Sequence, residues 1–174
     1  MEKINKKNFI ELTDFSKKDL FAMINKAFDF KSGKIRKLPL KNKIIGLIFE
    51  KPSTRTRVSF EVGVQQLGGT SIVLPSGEIH VGTGAEIIED TAKVLSRYLD
   101  GIMMRSNSHE TLLNLSRSSM VPVINGLTDF SHPCQIMADL MTIIEQNKLL
   151  KDQIVCWLGD CNNVTNSWIQ ASYI

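Results

Sequence analysis

Apolar runs alternate with stretches of helical period along most of the chain. Residues 16–31, SKKDLFAMINKAFDFK, put Leu20, Ile24, Ala27 and Phe28 on one face, and Ser16 stands where a cap for the first turn belongs. IIGLIF at 44–49 is apolar toward both faces, the pattern of a central parallel strand covered on each side. Thr54–Leu67 reads as a helix stopped by Gly68-Gly69, followed by a strand, TSIVL, at 70–74. PSGEIHVGTGAE at 75–86 has the glycine and polar content of a surface loop. Beyond it the pattern predicts a helix at 87–99, a strand at 101–105 (GIMMR), a short helix at 109–118 and a strand at 121–125 (VPVIN). A long helix at 132–147, a strand at 153–159 (QIVCWLG) and the start of a helix in NNVTNSWIQASYI complete the series.

This alternation predicts an α/β fold with a mostly parallel sheet flanked by helices. The polar stretch NKLLKDQ at 147–153 is the best domain boundary, giving a first domain at 1–147. Residues 148–174 then hold only the first strand and helix of a second α/β domain, too little to bury a core of its own. The chain is therefore expected to be unfinished as a two-domain protein. Composition adds exclusions. A net charge of +3 without any gathered Lys/Arg block argues against a nucleic-acid partner. No apolar run reaches the ~18 residues of a spanning helix, and MEKINKKNFIEL lacks the apolar segment of a signal peptide, so no membrane role is expected. Cys134, Cys156 and Cys161 are too few and too unevenly spaced for a disulfide framework, so a reducing cytoplasm is expected. Cys156 and Cys161 have no further His or Cys nearby, which argues against zinc.

The chemistry concentrates in EKPSTRTR at 50–57, where a buried strand passes through a proline into a helix. Sites in open α/β sheets gather at the carboxyl ends of strands beside helix N-termini. There, free backbone N–H groups and the positive end of the helix dipole attract an anion. Ser53, Thr54 and Thr56 add neutral donors, and Arg55 adds a planar fork suited to phosphate oxygens. A purely structural alternative has Ser53 capping the helix and Arg57 pairing with Glu61 one turn on. For Arg57 that alternative is favoured; for Ser53–Thr56 acting together the phosphate reading is.

PSTRTR, followed in order by DTAKVLSRYLDGIMMR, NGLTDFSHPCQIMADLMTI and LGDCNNV, resembles the aspartate/ornithine carbamoyltransferase family through essentially the whole chain. The resemblance implies that Ser53, Thr54, Arg55 and Thr56 bind the phosphate of carbamoyl phosphate, and that Arg105 reaches both the phosphate and the carbonyl oxygen. His132, with Pro133, Cys134 and Gln135 of the HPCQ motif, would hold the carbamoyl group. Arg105, His132 and Thr56 would stabilise charge on the carbonyl oxygen as an amine attacks. No metal or redox cofactor is called for, because the leaving group is already activated. Each residue also has a structural alternative: His132 as a cap, Gln135 as a capping-box partner, Arg105 as a surface arginine, Cys134 as a packing residue. His109 is expected to do nothing chemical. His80 stands where ornithine-transferring members usually carry a glutamine that touches carbamoyl phosphate across a subunit boundary.

For the amine acceptor, HPCQ and GDCNNV look like the ornithine branch, in which the residue matching Asn163 binds the amino-acid end of ornithine; a helix cap is its structural alternative. Aspartate is the competing acceptor. The family's second domain is longer, and its Asp, Ser-Met-Gly and Cys-Leu-Pro segments have no counterpart in these residues. Two expectations follow: a piece of a full ornithine carbamoyltransferase, inactive alone, or a shortened relative that only binds phosphate ligands. The resemblance further implies a homotrimer with sites shared between neighbours.

Overall fold

The computed structural model describes residues 7–75, 87–146 and 149–174. At its centre four parallel strands run in the order β2-β1-β3-β4, with β1 Ile44–Phe49, β2 Thr70–Pro75, β3 Gly101–Arg105 and β4 Val123–Leu127. Helices connect and cover them: α1 Lys17–Lys31, α2 Thr54–Gln66, α3 Ile88–Leu95, α4 His109–Ser118, α5 Pro133–Glu145 and α6 Asn163–Ser172. The α/β reading is thus borne out. Side chains alternate across the sheet as the strand period requires. Ile48, Ile102 and Met104 pack toward α3 and α4, joined by Ala92, Leu112 and Leu115. Leu47, Phe49 and Met103 point to the other face, where Phe60 of α2 meets them. A third cluster joins Leu12, Phe15, Leu20 and Ile136 to Val164, Trp168 and Ala171, so α1, α5 and α6 pack as one group.

Element boundaries follow local chemistry. Ser16 caps α1 by accepting from the Asp19 N–H at 3.2 Å, as its position predicts. Helix α3 stops at Leu95, short of the predicted 99, because the Ser96 hydroxyl and N–H both take the Ala92 carbonyl and the next turn tightens. The predicted strand at 121–125 begins instead at Val123. Pro122 has no N–H to give the ladder, and only its carbonyl is used, by the Ile102 N–H at 2.9 Å.

Residues 153–159 are the clear departure: QIVCWLG forms no strand. A strand exists only through a hydrogen-bonded neighbour, and among the described residues none lies alongside. Ile154 and Leu158 consequently stand 98% and 90% exposed. The opposite surprise is the N-terminal segment, which pattern reading left unassigned. Phe9 bridges to β4, its N–H donating to the Val123 carbonyl and its carbonyl accepting from the Asn125 N–H, both at 2.8 Å. This covers part of an edge that would otherwise present open backbone groups.

Candidate functional site

Parallel β1, β3 and β4 all end at the same rim of the sheet, and each delivers candidate residues there. Phe49 pairs with Arg105 in register, so the chain leaving β1 toward Ser53 passes beside the end of β3. At the next junction Met104 pairs with Asn125 but Arg105 pairs with Leu127, leaving Gly126 as an extra residue. Such a bulge twists and redirects the strand end. A Cβ on Gly126 would lie 2.3 Å from the Met103 sulfur, so a larger residue there would force that buried side chain to move.

The tip of α2 is open. Ser53 occupies the N-cap position with extended backbone, φ −157° and ψ 101°, yet its hydroxyl makes no capping bond. The hydroxyl and the first-turn N–H groups therefore lack the partner that a cap would supply. Arg105 reaches this tip, donating from Nη1 to the Thr56 Oγ1 at 3.0 Å. Because Thr56 Oγ1 accepts that bond, its own proton stays available for a ligand. Burial, then the neighbouring Arg55 cation, holds the Arg105 guanidinium below its ordinary range. His132, the N-cap of α5, feels Arg105 as well: burial first and that cation second push its imidazole down to about 4. It is therefore neutral near pH 7. Arg105 Nε and His132 Nδ1 are buried without a hydrogen-bond partner, two of four such side-chain atoms among the described residues. Buried donors and acceptors are normally satisfied, and two that are not stand together at this rim.

The other candidates divide. Arg57 donates from Nε to Glu61 Oε1 at 2.7 Å, the structural role that its spacing suggests. The Cys134 thiol donates to the Asn125 carbonyl at 3.3 Å, and burial pushes it up to about 12, the environment of a packing residue. Pro133 is buried at the first position of α5, where its missing N–H costs nothing. Gln135 is exposed and donates to Asp139 Oδ1 at 2.9 Å, one turn down the helix, so as it stands its amide points along α5. Asn163 is not the cap of α6; Asn162 is, while the Asn163 amide donates to the Thr128 carbonyl at 2.6 Å. His80 lies outside the described residues. A cleft of about 520 Å³ opens beside Pro52, Ser53, Thr54, Arg57 and Val73. It lies toward β2, whereas Arg105 and His132 stand on the β3–β4 side, so the converging donors and not the cleft define the site.

Sequence reading missed Glu50. Its carboxylate accepts from Ser106 Oγ at 2.6 Å and from the Asn107 N–H at 2.8 Å, and its N–H donates to the Arg105 carbonyl at 2.9 Å. It fastens the turn after β3 and so the backbone from which Arg105 projects. The signal available was its place between a strand end and a proline, where an acid facing solvent has no evident use.

Comparison with known proteins agrees with this geometry. The ornithine carbamoyltransferase of Syntrophotalea carbinolica is 52% identical over 171 residues, covering 96% of this chain and 56% of the relative. That of Methanosphaera stadtmanae is 51% identical, covering 95% and 54%. The solved ornithine carbamoyltransferase of Pyrococcus furiosus superposes with a TM-score of 0.91 at 41% identity, covering 98% of this chain and 55% of that one. The chain thus spans about half the length of the relatives it matches. The family described as aspartate/ornithine carbamoyltransferase, carbamoyl-P binding domain, matches residues 7–145, and the chain belongs to that family.

Proposed function

We propose that this chain carries the carbamoyl phosphate half-site of an ornithine carbamoyltransferase. The observation that carries the reading is the uncapped tip of α2 facing Arg105, with the unsatisfied His132 nearby. The first-turn N–H groups, the hydroxyls of Ser53, Thr54 and Thr56, and the Arg55 guanidinium take the phosphate oxygens. Arg105 bridges toward the carbonyl oxygen, where the Thr56 hydroxyl and neutral His132 also donate. Asn163, at the start of α6, contributes to the amino-acid end of ornithine, and Gln135 turns from Asp139 to the carbamoyl nitrogen once ligand arrives.

In the reaction, the side-chain amine of ornithine attacks the carbamoyl carbon and forms a C–N bond. Charge gathers on the carbonyl oxygen, the C–O bond to phosphate breaks, and the amine loses a proton, giving citrulline and phosphate. Donors fixed before the reaction favour that charge more than they favour the substrate. Ornithine is preferred to aspartate as acceptor because the relatives described above are ornithine carbamoyltransferases. Assembly as a homotrimer belongs to the same reading.

Thermal unfolding with added carbamoyl phosphate tests it. A ligand that binds only the folded state raises the melting temperature. A rise at millimolar ligand supports the half-site; no rise refutes it. Citrulline formation by these 174 residues alone would refute the view that further protein is needed for turnover.

A further inference from the structure

His132 is reached through a tight loop at 128–132, and that loop is held from outside the site by a carboxylate–imidazole pair that the chemistry above does not use. Glu11, only 13% exposed at its side chain, lies in the N-terminal segment that Phe9 anchors to β4. Its Oε1 accepts from Ser131 Oγ at 2.6 Å and lies 3.2 Å from His109 Nε2; its Oε2 accepts from the Gln170 amide of α6. One carboxylate thus joins α4, α6 and the residue immediately before His132.

The hydrogen bonds assign the imidazole's proton. Thr128 Oγ1 already accepts from the N–H groups of Phe130 at 3.3 Å and Ser131 at 3.1 Å. Its single proton therefore points at His109 Nδ1, 3.0 Å away. Nδ1 is then the acceptor, and the ring proton sits on Nε2, the nitrogen 3.2 Å from the Glu11 carboxylate oxygen. Ring packing of His109 on Phe130, 5.1 Å between centroids, and donation by the His109 N–H to Asp129 Oδ1 at 2.8 Å brace the same loop. Ser131 Oγ, while donating to Glu11, accepts from the buried Asn125 amide at 2.9 Å. Its neighbour His132 keeps Nδ1 unpartnered while its N–H donates to Ser167 at 2.9 Å.

We propose that Glu11 and His109 are positioning residues for His132, holding the 128–132 loop so that the imidazole meets the carbonyl oxygen of the bound carbamoyl group. This rests on the carbamoyl phosphate reading. Glu11→Gln is the informative change, since an amide retains the size but has one acceptor. If its oxygen keeps Ser131 and His109, its NH₂ faces the Gln170 NH₂; if it turns over, Ser131 loses its acceptor.

The test is isothermal titration of the chain with two probes, inorganic phosphate and phosphonoacetamide, which carries the amide carbonyl as well. In Glu11→Gln the phosphonoacetamide affinity should fall about tenfold, the worth of one charge-assisted hydrogen bond, with phosphate affinity held within about twofold. Ser131→Ala, which cuts the link from Glu11 to the loop and leaves the Asn125 amide with the Ile10 carbonyl as its remaining acceptor, should shift the ratio in the same direction. Imidazole nitrogen resonances of His132 should move in both variants. Equal weakening of the two probes would mean a general structural role, and an unchanged ratio in both variants would mean none; either overturns the proposal. Failure of the unmodified chain to bind either probe is a separate result: it removes the carbamoyl phosphate reading and this inference with it.

Discussion

Helices α2 and α6 both begin with small polar residues after an apolar run, and their tips are opposites. At α6 Asn162 closes the first turn, its side-chain oxygen accepting from the N–H groups of Val164 at 2.9 Å and Thr165 at 3.2 Å, while Thr165 Oγ1 accepts from the Asn162 N–H at 3.2 Å. Asn163 spends its amide on Thr128. At α2 Ser53 caps nothing, and Thr56 meets a cation that belongs to another strand. Both tips have the dipole and the residue types of an anion site. What separates them is whether the protein answers its own donors. A self-satisfied tip has spent its first-turn donors; the unanswered one, beside buried, unpartnered Arg105 and His132 atoms, still has donors to offer an anion.

The largest effect should come from Arg105→Ala. Losing the part-buried guanidinium that the proposed function places at both ends of the ligand should weaken carbamoyl phosphate about 100-fold, measured by calorimetry. Arg55→Ala should cost about tenfold in the same assay, whereas Arg57→Ala should stay within about twofold. Loss of the Arg57–Glu61 pair should lower stability by only about 0.3–0.5 kcal/mol in denaturant unfolding. Equal losses for Arg55 and Arg57 would show that their roles are misassigned. The caps sharpen the contrast. Asn162→Ala should destabilise by about 1 kcal/mol and leave phosphate binding intact, while Ser53→Ala should weaken phosphate and leave stability unchanged.

A separate effect concerns pH. Burial and Arg105 hold His132 at about 4 in the folded state, below the ordinary 6.5 of the unfolded chain. As pH falls the unfolded chain takes up this proton first. The stability that neutral His132 represents is complete above pH 6.5 and is lost as pH drops toward 4. Thermal unfolding across that window should show a slope that His132→Gln reduces; an identical slope in the variant would place the titration elsewhere.

The elements were largely legible in the sequence, because period and caps are local. IIGLIF and GIMMR became strands at the predicted residues, and Ser16 caps as its spacing suggests. What escaped depends on distant partners. QIVCWLG has all the composition of a strand but, among the described residues, no neighbour to pair with, so its backbone forms no ladder. Phe9 is part of no strand-like run, yet β4 gives it one. The site was half legible: STRT reads as an anion cradle from type and order alone. The meeting of Arg105 with Thr56 depends on strand order, and the clamp by Glu50 on a turn 56 residues away. Gln135 shows the reverse limit, a motif residue whose amide is presently occupied by Asp139.

Backbone amide NMR during titration with inorganic phosphate compares the two tips in one experiment. The account predicts saturable shifts at Thr54, Arg55 and Thr56 with little change at Asn163, Val164 and Thr165. Shifts of equal size at both tips, or none at α2, would contradict it.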